Sequence, residues 1–409
     1  MTTPELKKEI LSMVSILKKE GKVYLAKAIS KNWQKTMLAY SANINAHKPD
    51  KPMENTFKKA LAMELSRLLY PQKEILEIIK DLEKHRVLQT SPHISPAGKP
   101  RFFFINWLAS LSFSPKRIFP VAMFSGVPFS NKTRPGRLCK KGGDINLMPS
   151  SMQDELVYKN KIPEKMITEI KNLPPKLKNL IPEAKIGNSY TAWALECSQK
   201  LEGKFLQGKS VFFDFNEVAS NYLLLSLKDP EHPISKMFFS PMERKMTIKN
   251  FKEMVFFYAP VQKGKYEETE SFFLKDGYLE SASRKIELNP DTLIKELKDR
   301  LCPGLIVGFL IFAFLNHFQC FGSFAQTEYL PLYRDRFAKF PFLKKYNLKK
   351  APTGELTTGG FPFDVHLHPL DIYLDSKFNP DPNTLFGEAL LTIKDVLLHQ
   401  NYSMNLVRK

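Results

Sequence analysis

The most apolar run of the chain, residues 305–315, constrains the fold more than any other stretch. It is interrupted by Gly308 and ends at Asn316. At 11 residues it is far shorter than the roughly 20 needed to cross a bilayer, so we expect a buried element. A turn at Gly322 and Ser323 and a polar segment follow. We predict that the run is the central element of a sheet and that a ligand site begins at the turn.

A strand, a helix and a second strand are predicted over residues 87–90, 101–111 and 118–124. This spacing favours a parallel crossover, in which the loops after both strands emerge at the same edge of the sheet. The fold class is therefore α/β, with a Rossmann-like, mostly parallel sheet, an N-terminal helical segment and an α-rich insertion.

The predicted organisation has four parts. Residues 1–85 form the helical N-terminal segment and 86–137 the first half of the core. Residues 138–260 form the insertion, and 261–409 the second half of the core with a C-terminal helix. In the last part, segments 271–275 and 284–288 flank an Asp-Gly turn and predict a hairpin.

The formal charge is +19, from 61 basic and 42 acidic residues. Such an excess favours anionic partners: a nucleotide, a phosphorylated substrate, an acyl carrier or other acidic protein, or nucleic acid. No known nucleic-acid recognition motif is present, so sequence-specific readout is not expected. Lys-rich solvated helices would produce the same excess without any partner.

The four cysteines, at 139, 197, 302 and 320, are widely spaced and form no Cys-x-x-Cys pair. This spacing disfavours a zinc ribbon or a disulfide scaffold, and we expect small buried side chains in a reducing compartment. The N-terminus carries no apolar signal core. We therefore expect a cytoplasmic protein with no membrane partner.

The loops 90–99 and 125–137 follow the two predicted strands and are rich in hydroxyl, amide and cationic groups. Backbone amides with Lys and Arg side chains bind anions, and neither a P-loop nor a dinucleotide Gly-x-Gly-x-x-Gly is present. His93 is the acid/base candidate of this region. The ligand-binding candidates are Thr90, Ser91, Gly98, Lys99, Ser125, Gly126, Asn131, Lys132 and Arg134.

The polar exit of the apolar run offers a second group of candidates. A Glu beside a Tyr near a helix start suits a general base or a ribose-binding group, and Glu328 and Tyr329 are the catalytic candidates here. Gly322, Gln326 and Arg334 are the ligand-binding candidates here. A solvated first helical turn with local ion pairs is the structural alternative.

A third candidate is the string Asp364, His366 and His368. On a strand these three side chains point to one face and could bind a divalent metal, with further ligands from His93 or Asp144. An edge strand with a polar face is the alternative.

Four segments resemble, in order and spacing, the core of bacillithiol-synthase-type proteins, a family of cysteine ligases. They are residues 272–277 (Phe-Phe-Leu-Lys-Asp-Gly), 290–297, 302–306 and 322–333. The resemblance implies a Rossmann-like core that can hold a nucleotide. Two departures stand out: Thr-Ser-Pro-His at 90–93 replaces the family's Thr-Gly-Gln-Gln-like turn, and a basic loop at 125–132 replaces its His- and Asp-rich loop.

These features lead to one leading hypothesis and two alternatives. The first is a cytoplasmic biosynthetic enzyme that binds an anionic, nucleotide or phosphorylated small molecule and catalyses a ligation or group transfer. The second is a non-catalytic basic module that binds nucleic acid or an acidic protein. The third is a metal-dependent enzyme that uses Asp364, His366 and His368.

Overall fold

The computed structural model describes residues 3–49, 51–362, 368–375 and 378–399. Strands in chain order are β1 (Val87–Gln89), β2 (Ile118–Met123), β3 (Arg137–Leu138), β4 (Ile145–Asn146), β5 (Lys209–Asp214), β6 (Val255–Lys263), β7 (Tyr266–Leu274), β8 (Tyr278–Glu280), β9 (Lys285–Glu287), β10 (Cys302–Pro303) and β11 (Gln319–Phe321).

Helices surround these strands. They are α1 (Thr3–Lys19), α2 (Val23–Asn32), α3 (Met37–Ile44), α4 (Asn55–Arg67), α5 (Gln72–His85), α6 (Pro100–Ser110), α7 (Glu164–Lys171), α8 (Pro175–Lys178), α9 (Tyr190–Glu202), α10 (Phe215–Ser226), α11 (Pro233–Phe239), α12 (Pro241–Asn250), α13 (Pro290–Asp299), α14 (Leu305–Phe309), α15 (Phe324–Phe337), α16 (Pro369–Asp375), α17 (Phe386–Leu391) and α18 (Lys394–His399). Three short 3-10 helices, Ser150–Met152, Pro341–Tyr346 and Leu348–Lys350, and a π-helical segment, Leu310–Leu315, complete the described elements.

A four-stranded parallel sheet forms the core, in the order β11-β1-β2-β5. Strands β1 and β2, joined by α6, pair in parallel at Gln89 and Val121, which confirms the predicted crossover. β5 continues the sheet on the far side of β2, whereas β11 lies on the opposite side of β1. The direction of strand addition therefore reverses at β1. In open α/β sheets, such a reversal leaves a crevice at the carboxyl ends of the two strands.

The prediction for the apolar run was wrong. The run forms α14 and the π-helical segment, and every residue from Ile306 to Leu315 is buried. The strand that joins the sheet is the short β11 behind it, which lies at the edge and not at the centre. Apolar periodicity alone does not separate a buried helix from a buried strand, but a run of this length exceeds the usual strand and favours a helix.

A second, antiparallel sheet has the order β10-β6-β7-β8-β9. The turn at Asp276 and Gly277 lies as predicted, but it joins β7 to β8, and the strand at 285–287 pairs with β8 and not with β7. β5 lies within residues 138–260, so the parallel core extends into the segment expected to be an insertion.

The N-terminal segment is helical, and α1 buries Leu6, Ile10, Met13, Val14 and Leu17 on one face, as the spacing predicts. α1 packs on α17 and α18, α2 packs on α15, and α3 packs on α6. The segment therefore packs against four helices from later parts of the chain, α6, α15, α17 and α18. Within the described ranges, no helix combines the length and the apolar character that membrane crossing requires.

A fully buried carboxylate, Glu64 of α4, ties this helix to the sheet. Its Oε2 accepts a hydrogen bond from Nε of Arg67 at 2.6 Å, and its Oε1 accepts one from the backbone N of Asp214 at 2.9 Å. Burial raises the pKa of Glu64, and the Arg67 guanidinium opposes that rise. All its described contacts are with donors, an arrangement that suits the ionised form.

Replacing Glu64 with Ala should therefore lower the free energy of unfolding by about 3–5 kcal/mol, because Arg67 and the Asp214 amide lose their acceptor. Chemical denaturation measures this loss. Glu83→Ala is the matched control: its ion pair with Lys58 is partly exposed, and its loss should cost under about 1 kcal/mol. Equal losses in the two variants would contradict the assignment of a structural role to Glu64.

Candidate functional site

A cavity of about 870 Å³ opens at the carboxyl edge of the parallel sheet, where β1 and β11 diverge. We call it the strand-end cavity. Its walls come from the loop after β1, the start of α6, the loop after β2, the start of α15, residues 359–361 and α18. The residues that line it are Ser91, His93, Lys99, Pro100, Arg101, Phe102, Asn131, Lys132, Thr133, Ser323, Phe324, Ala325, Gly359, Gly360, Phe361, Ile393, Asp395, Val396 and His399.

The start of α15 is held against β1 by a buried polar contact. The Gln326 side-chain N donates to the Thr90 hydroxyl at 2.9 Å, and Thr90 Oγ1 donates to the Phe321 carbonyl at 2.9 Å. Gly322 allows this contact, because a Cβ there would lie 2.4 Å from Gln326 Cδ. Thr90, Gly322 and Gln326 therefore do not line the cavity. They position Ser323 and the first turn of α15, which do.

Two helices of the described chain begin at the cavity without a side-chain cap. α15 starts after Ser323 and α6 after Lys99, and neither N-cap side chain accepts from its helix. The first amides of a helix carry a partial positive charge and have no intrahelical acceptor. The two starts differ, because α6 begins with Pro100, which has no N–H, and its Phe102 N already donates to the Lys99 carbonyl at 2.9 Å. Both nevertheless direct the positive end of a helix towards one cavity, which favours an anion.

Cations reinforce this environment. Lys99, Arg101 and Lys132 line the cavity, and the Arg101 guanidinium lies 5.3 Å from the centre of the Phe324 ring. Burial lowers the pKa of Lys99, and nearby Arg134, Arg101 and Lys132 lower it further. Within the described ranges, neither Lys99 nor Lys132 forms an ion pair. Lys99 and Lys132 therefore carry positive charge without an ion pair in the described part of the chain, and Asp395 is the carboxylate that lines the same cavity.

A smaller cleft of about 340 Å³ adjoins the strand-end cavity, and we call it the basic cleft. It shares Lys99, Asn131 and Lys132 with the cavity and adds Phe129, Ser130, Arg134 and Arg137. Arg134 forms an ion pair with Asp144. The second half of the loop 125–137 thus lines both spaces.

His93 lies on the cavity wall, partly buried between the rings of Phe102 and Phe124. Burial, with a smaller contribution from Arg101, lowers its pKa to about 4, so the imidazole is neutral at pH 7. Its Nδ1 lies 3.3 Å from Thr133 Oγ1, which donates to Asn131 Oδ1 at 2.8 Å. The tautomer that satisfies both contacts carries its proton on Nδ1 and leaves Nε2 as an acceptor.

Other predicted site residues lie elsewhere. Ser125 is fully buried and its hydroxyl donates to Asp214 Oδ1 at 2.8 Å, and Gly126 packs beside Phe124 and Asn216. These two residues belong to the sheet core next to β5 and do not line the strand-end cavity. Gly98 packs on Phe102 behind the start of α6.

The candidates on α15 have structural contacts. Glu328 Oε1 accepts from the backbone N of Leu25 at 2.6 Å, in the first turn of α2. Tyr329 stacks on Tyr333, with ring centres 5.2 Å apart. Arg334 donates to Asp335 and to Thr353 and lines a separate surface cavity. The predicted second group is therefore not brought together with His93 and Lys99.

Several lining residues were missed. Arg101 could have been found from its place in the first turn of a helix beside a predicted anion loop. Residues 359–361 reach the cavity because the segment before them pairs with Gly322, where Thr357 N donates to the Gly322 carbonyl at 2.9 Å. Asp395 and His399 arrive on α18, far along the chain, and no local pattern indicates that contact.

The metal prediction is only partly covered, because Asp364 and His366 lie outside the described residues. His368 precedes α16, and its backbone carbonyl accepts from Asp371 and Ile372. Among the residues that the structure describes, no three His, Cys, Asp or Glu side chains are grouped so as to hold a metal ion. All four cysteines are buried free thiols, and burial raises the pKa of Cys197 and Cys302 well above its ordinary value.

No family model matches the chain, and no curated protein matches it. The resemblance to bacillithiol-synthase-type proteins therefore stays a prediction.

The pKa of His93 predicts a measurable pH dependence. The native pKa of about 4 lies below the ordinary 6.5, so unfolding takes up a proton between those pH values. The contribution of neutral His93 to the free energy of unfolding is complete above pH 6.5. It is lost as the pH falls towards 4, and the total loss is about 3 kcal/mol. Denaturation at several pH values should show a smaller acid loss in His93→Gln.

Proton NMR of the imidazoles gives an independent measurement. The signal that disappears in His93→Gln should titrate near pH 4 in the parent protein. A signal that titrates near 6.5 would show that the imidazole is not desolvated, and the assigned tautomer would lose its basis.

Proposed function

We propose that the protein binds a phosphorylated small molecule in the strand-end cavity. The observation that carries this proposal is the convergence of Lys99 and Lys132 with two uncapped helix starts, those of α6 and α15, on one concave surface. A phosphate group offers several acceptor oxygens and a charge close to −2, so it can accept from backbone amides and from ammonium groups at once.

The energetics favour an anionic ligand over an empty or neutral one. Burial lowers the pKa of Lys99, and repulsion from Arg134, Arg101 and Lys132 lowers it further. An anion placed among them removes the repulsion and stabilises the charged ammonium. The Ser91 hydroxyl supports the same ligand class: it is buried on the cavity wall, and its Oγ has no hydrogen-bond partner in the described part of the chain.

We further propose that the site is catalytic and that the reaction is a group transfer or ligation. Neutral His93 offers its Nε2 as a proton acceptor on the same wall. It can take the proton from a hydroxyl or amine as that nucleophile attacks an acyl or phosphoryl centre of the bound ligand and the bond from that centre to its leaving group breaks. A bound phosphate raises the pKa of a nearby histidine, and it would therefore favour transfer of that proton to the imidazole.

We further propose that the parallel sheet is a Rossmann-like core. Its strand order reverses at β1 and the cavity lies at that reversal, which is where such cores bind ligands. The resemblance to cysteine ligases supports a biosynthetic, cytoplasmic enzyme. The loop 125–132 is basic where that family has an acidic loop. This difference favours an acceptor other than a thiol.

The test measures the affinity of the protein for three probes: inorganic phosphate, adenosine monophosphate and glucose 6-phosphate. Binding is monitored by phosphorus NMR at constant ionic strength. Lys99→Met should weaken the binding of every bound probe about tenfold or more, because a charge-assisted hydrogen bond contributes about 1.5–3 kcal/mol. The matched control is Lys176→Met, which removes the same charge from an exposed position on α8.

Two outcomes would reject the proposal. Absence of binding by all three probes removes the phosphate site. Equal losses in Lys99→Met and Lys176→Met, with a steep salt dependence, would instead indicate diffuse binding of polyanions and favour the nucleic-acid alternative.

A further inference from the structure

The basic cleft and the strand-end cavity form one continuous basic surface. Lys99, Asn131 and Lys132 line both of them. The helix starts lie on the walls of the cavity, whereas Arg134 and Arg137 lie only in the cleft. Arg134 pairs with Asp144, so a single phosphate that contacts the helix starts leaves Arg137 without an anion in the described part of the cleft.

The cleft is built into the fold. Arg137 is in β3, whose register against β4 pairs it with Asn146. The next residue, Leu138, bridges to Ala97 of the loop after β1, and Cys139 N donates to the Ala97 carbonyl at 3.2 Å. These backbone contacts fix β3 to the same loop that carries Lys99.

Two backbone features show that this arrangement is imposed on the chain. Arg134 has φ of 60°, a left-handed conformation that is unfavourable for a residue with a side chain. It is held by hydrogen bonds from its own N to Asn131 O at 2.8 Å and from Arg137 N to its carbonyl at 3.2 Å. Gly136 passes so close to Met148 that a Cβ would lie 2.7 Å from Met148 Cγ. Strain of this kind often occurs where a binding loop must adopt one shape.

The charges of the cleft are not balanced within the described ranges. Asp144 pairs with Arg134, which leaves Lys99, Lys132 and Arg137 without a carboxylate partner there. Lys99 and Arg137 are half-buried, so their charges are less screened by water than those of exposed lysines.

We propose that the ligand carries two linked phosphate groups, one at the helix starts of the strand-end cavity and the other in the basic cleft. This inference rests on the proposed function and specifies its ligand class as a diphosphate. The organic part of the ligand then occupies the remaining walls of the cavity, where Phe102, Phe324, Phe361 and Val396 provide apolar surface. Lys99 and Lys132, which line both spaces, contact both phosphates.

The test compares inorganic phosphate with inorganic pyrophosphate by phosphorus NMR at constant ionic strength, so that no organic group contributes. Pyrophosphate should bind the parent protein about tenfold or more tightly than phosphate. Arg137→Gln should remove most of that advantage, since it deletes the cation that lies only in the cleft. It should leave the affinity for phosphate within about twofold.

Lys140→Gln is the matched control. Lys140 lies three residues after Arg137 and lines neither the strand-end cavity nor the basic cleft. The control should preserve the pyrophosphate advantage. If Arg137→Gln does not fold, as circular dichroism would reveal, Lys132→Gln replaces it. Lys132 is exposed, and this variant should weaken pyrophosphate more than phosphate.

The two proposals fail in different ways. Equal affinity of the parent protein for phosphate and pyrophosphate, or an unchanged ratio in Arg137→Gln, overturns the diphosphate inference and leaves the phosphate site intact. Failure of both probes to bind overturns the proposed function as well.

Discussion

The parallel pairing of β1 with β11 is the interaction on which the candidate site depends. It joins Val87 to Gln319 and Gln89 to Phe321, residues that are far apart in the chain. Each strand then leaves the sheet at the same edge and in a different direction, β1 into the loop that carries Lys99 and β11 into α15. The buried contact between Thr90 and Gln326 holds these two exits together. Without this pairing, the starts of α6 and α15 would not be brought to the same cavity.

The helical N-terminal segment completes that arrangement from outside the sheet. Glu328 of α15 accepts from the first turn of α2, and Lys394 of α18 donates to Glu9 of α1 at 2.5 Å. α1 and α2 therefore fix the orientation of two helices that line the cavity or begin there. A carboxylate near a helix start resembles a catalytic base in sequence, and Glu328 shows that the same residue type can instead stabilise a neighbouring helix.

The local elements of this structure can be predicted from the sequence, whereas its long-range contacts cannot. The unit of β1, α6 and β2 was predictable because strand and helix periodicities alternate over a short stretch, and the anion loops followed from it. Lys99, Lys132 and His93, which line the strand-end cavity, were predicted in this way. β5 was missed because its strand runs directly into α10, and Ser125 was misassigned because its partner, Asp214, is at the end of that missed strand. Asp395 reaches the cavity only through the packing of α18, which depends on contacts that no local pattern encodes.

The same unbalanced charge that marks the site also constrains the stability of the protein. Lys99, Arg101, Lys132 and Arg137 lie around two connected spaces, and like charges in a half-buried region destabilise the folded state. The cation–π contacts of Arg101 with Phe102 and Phe324 offset part of that cost, since they engage the guanidinium without supplying negative charge. An anion that binds the folded state would offset more of it. Because a ligand that binds only the native state stabilises it, affinity for the ligand and stability of the carboxyl edge are coupled in this fold.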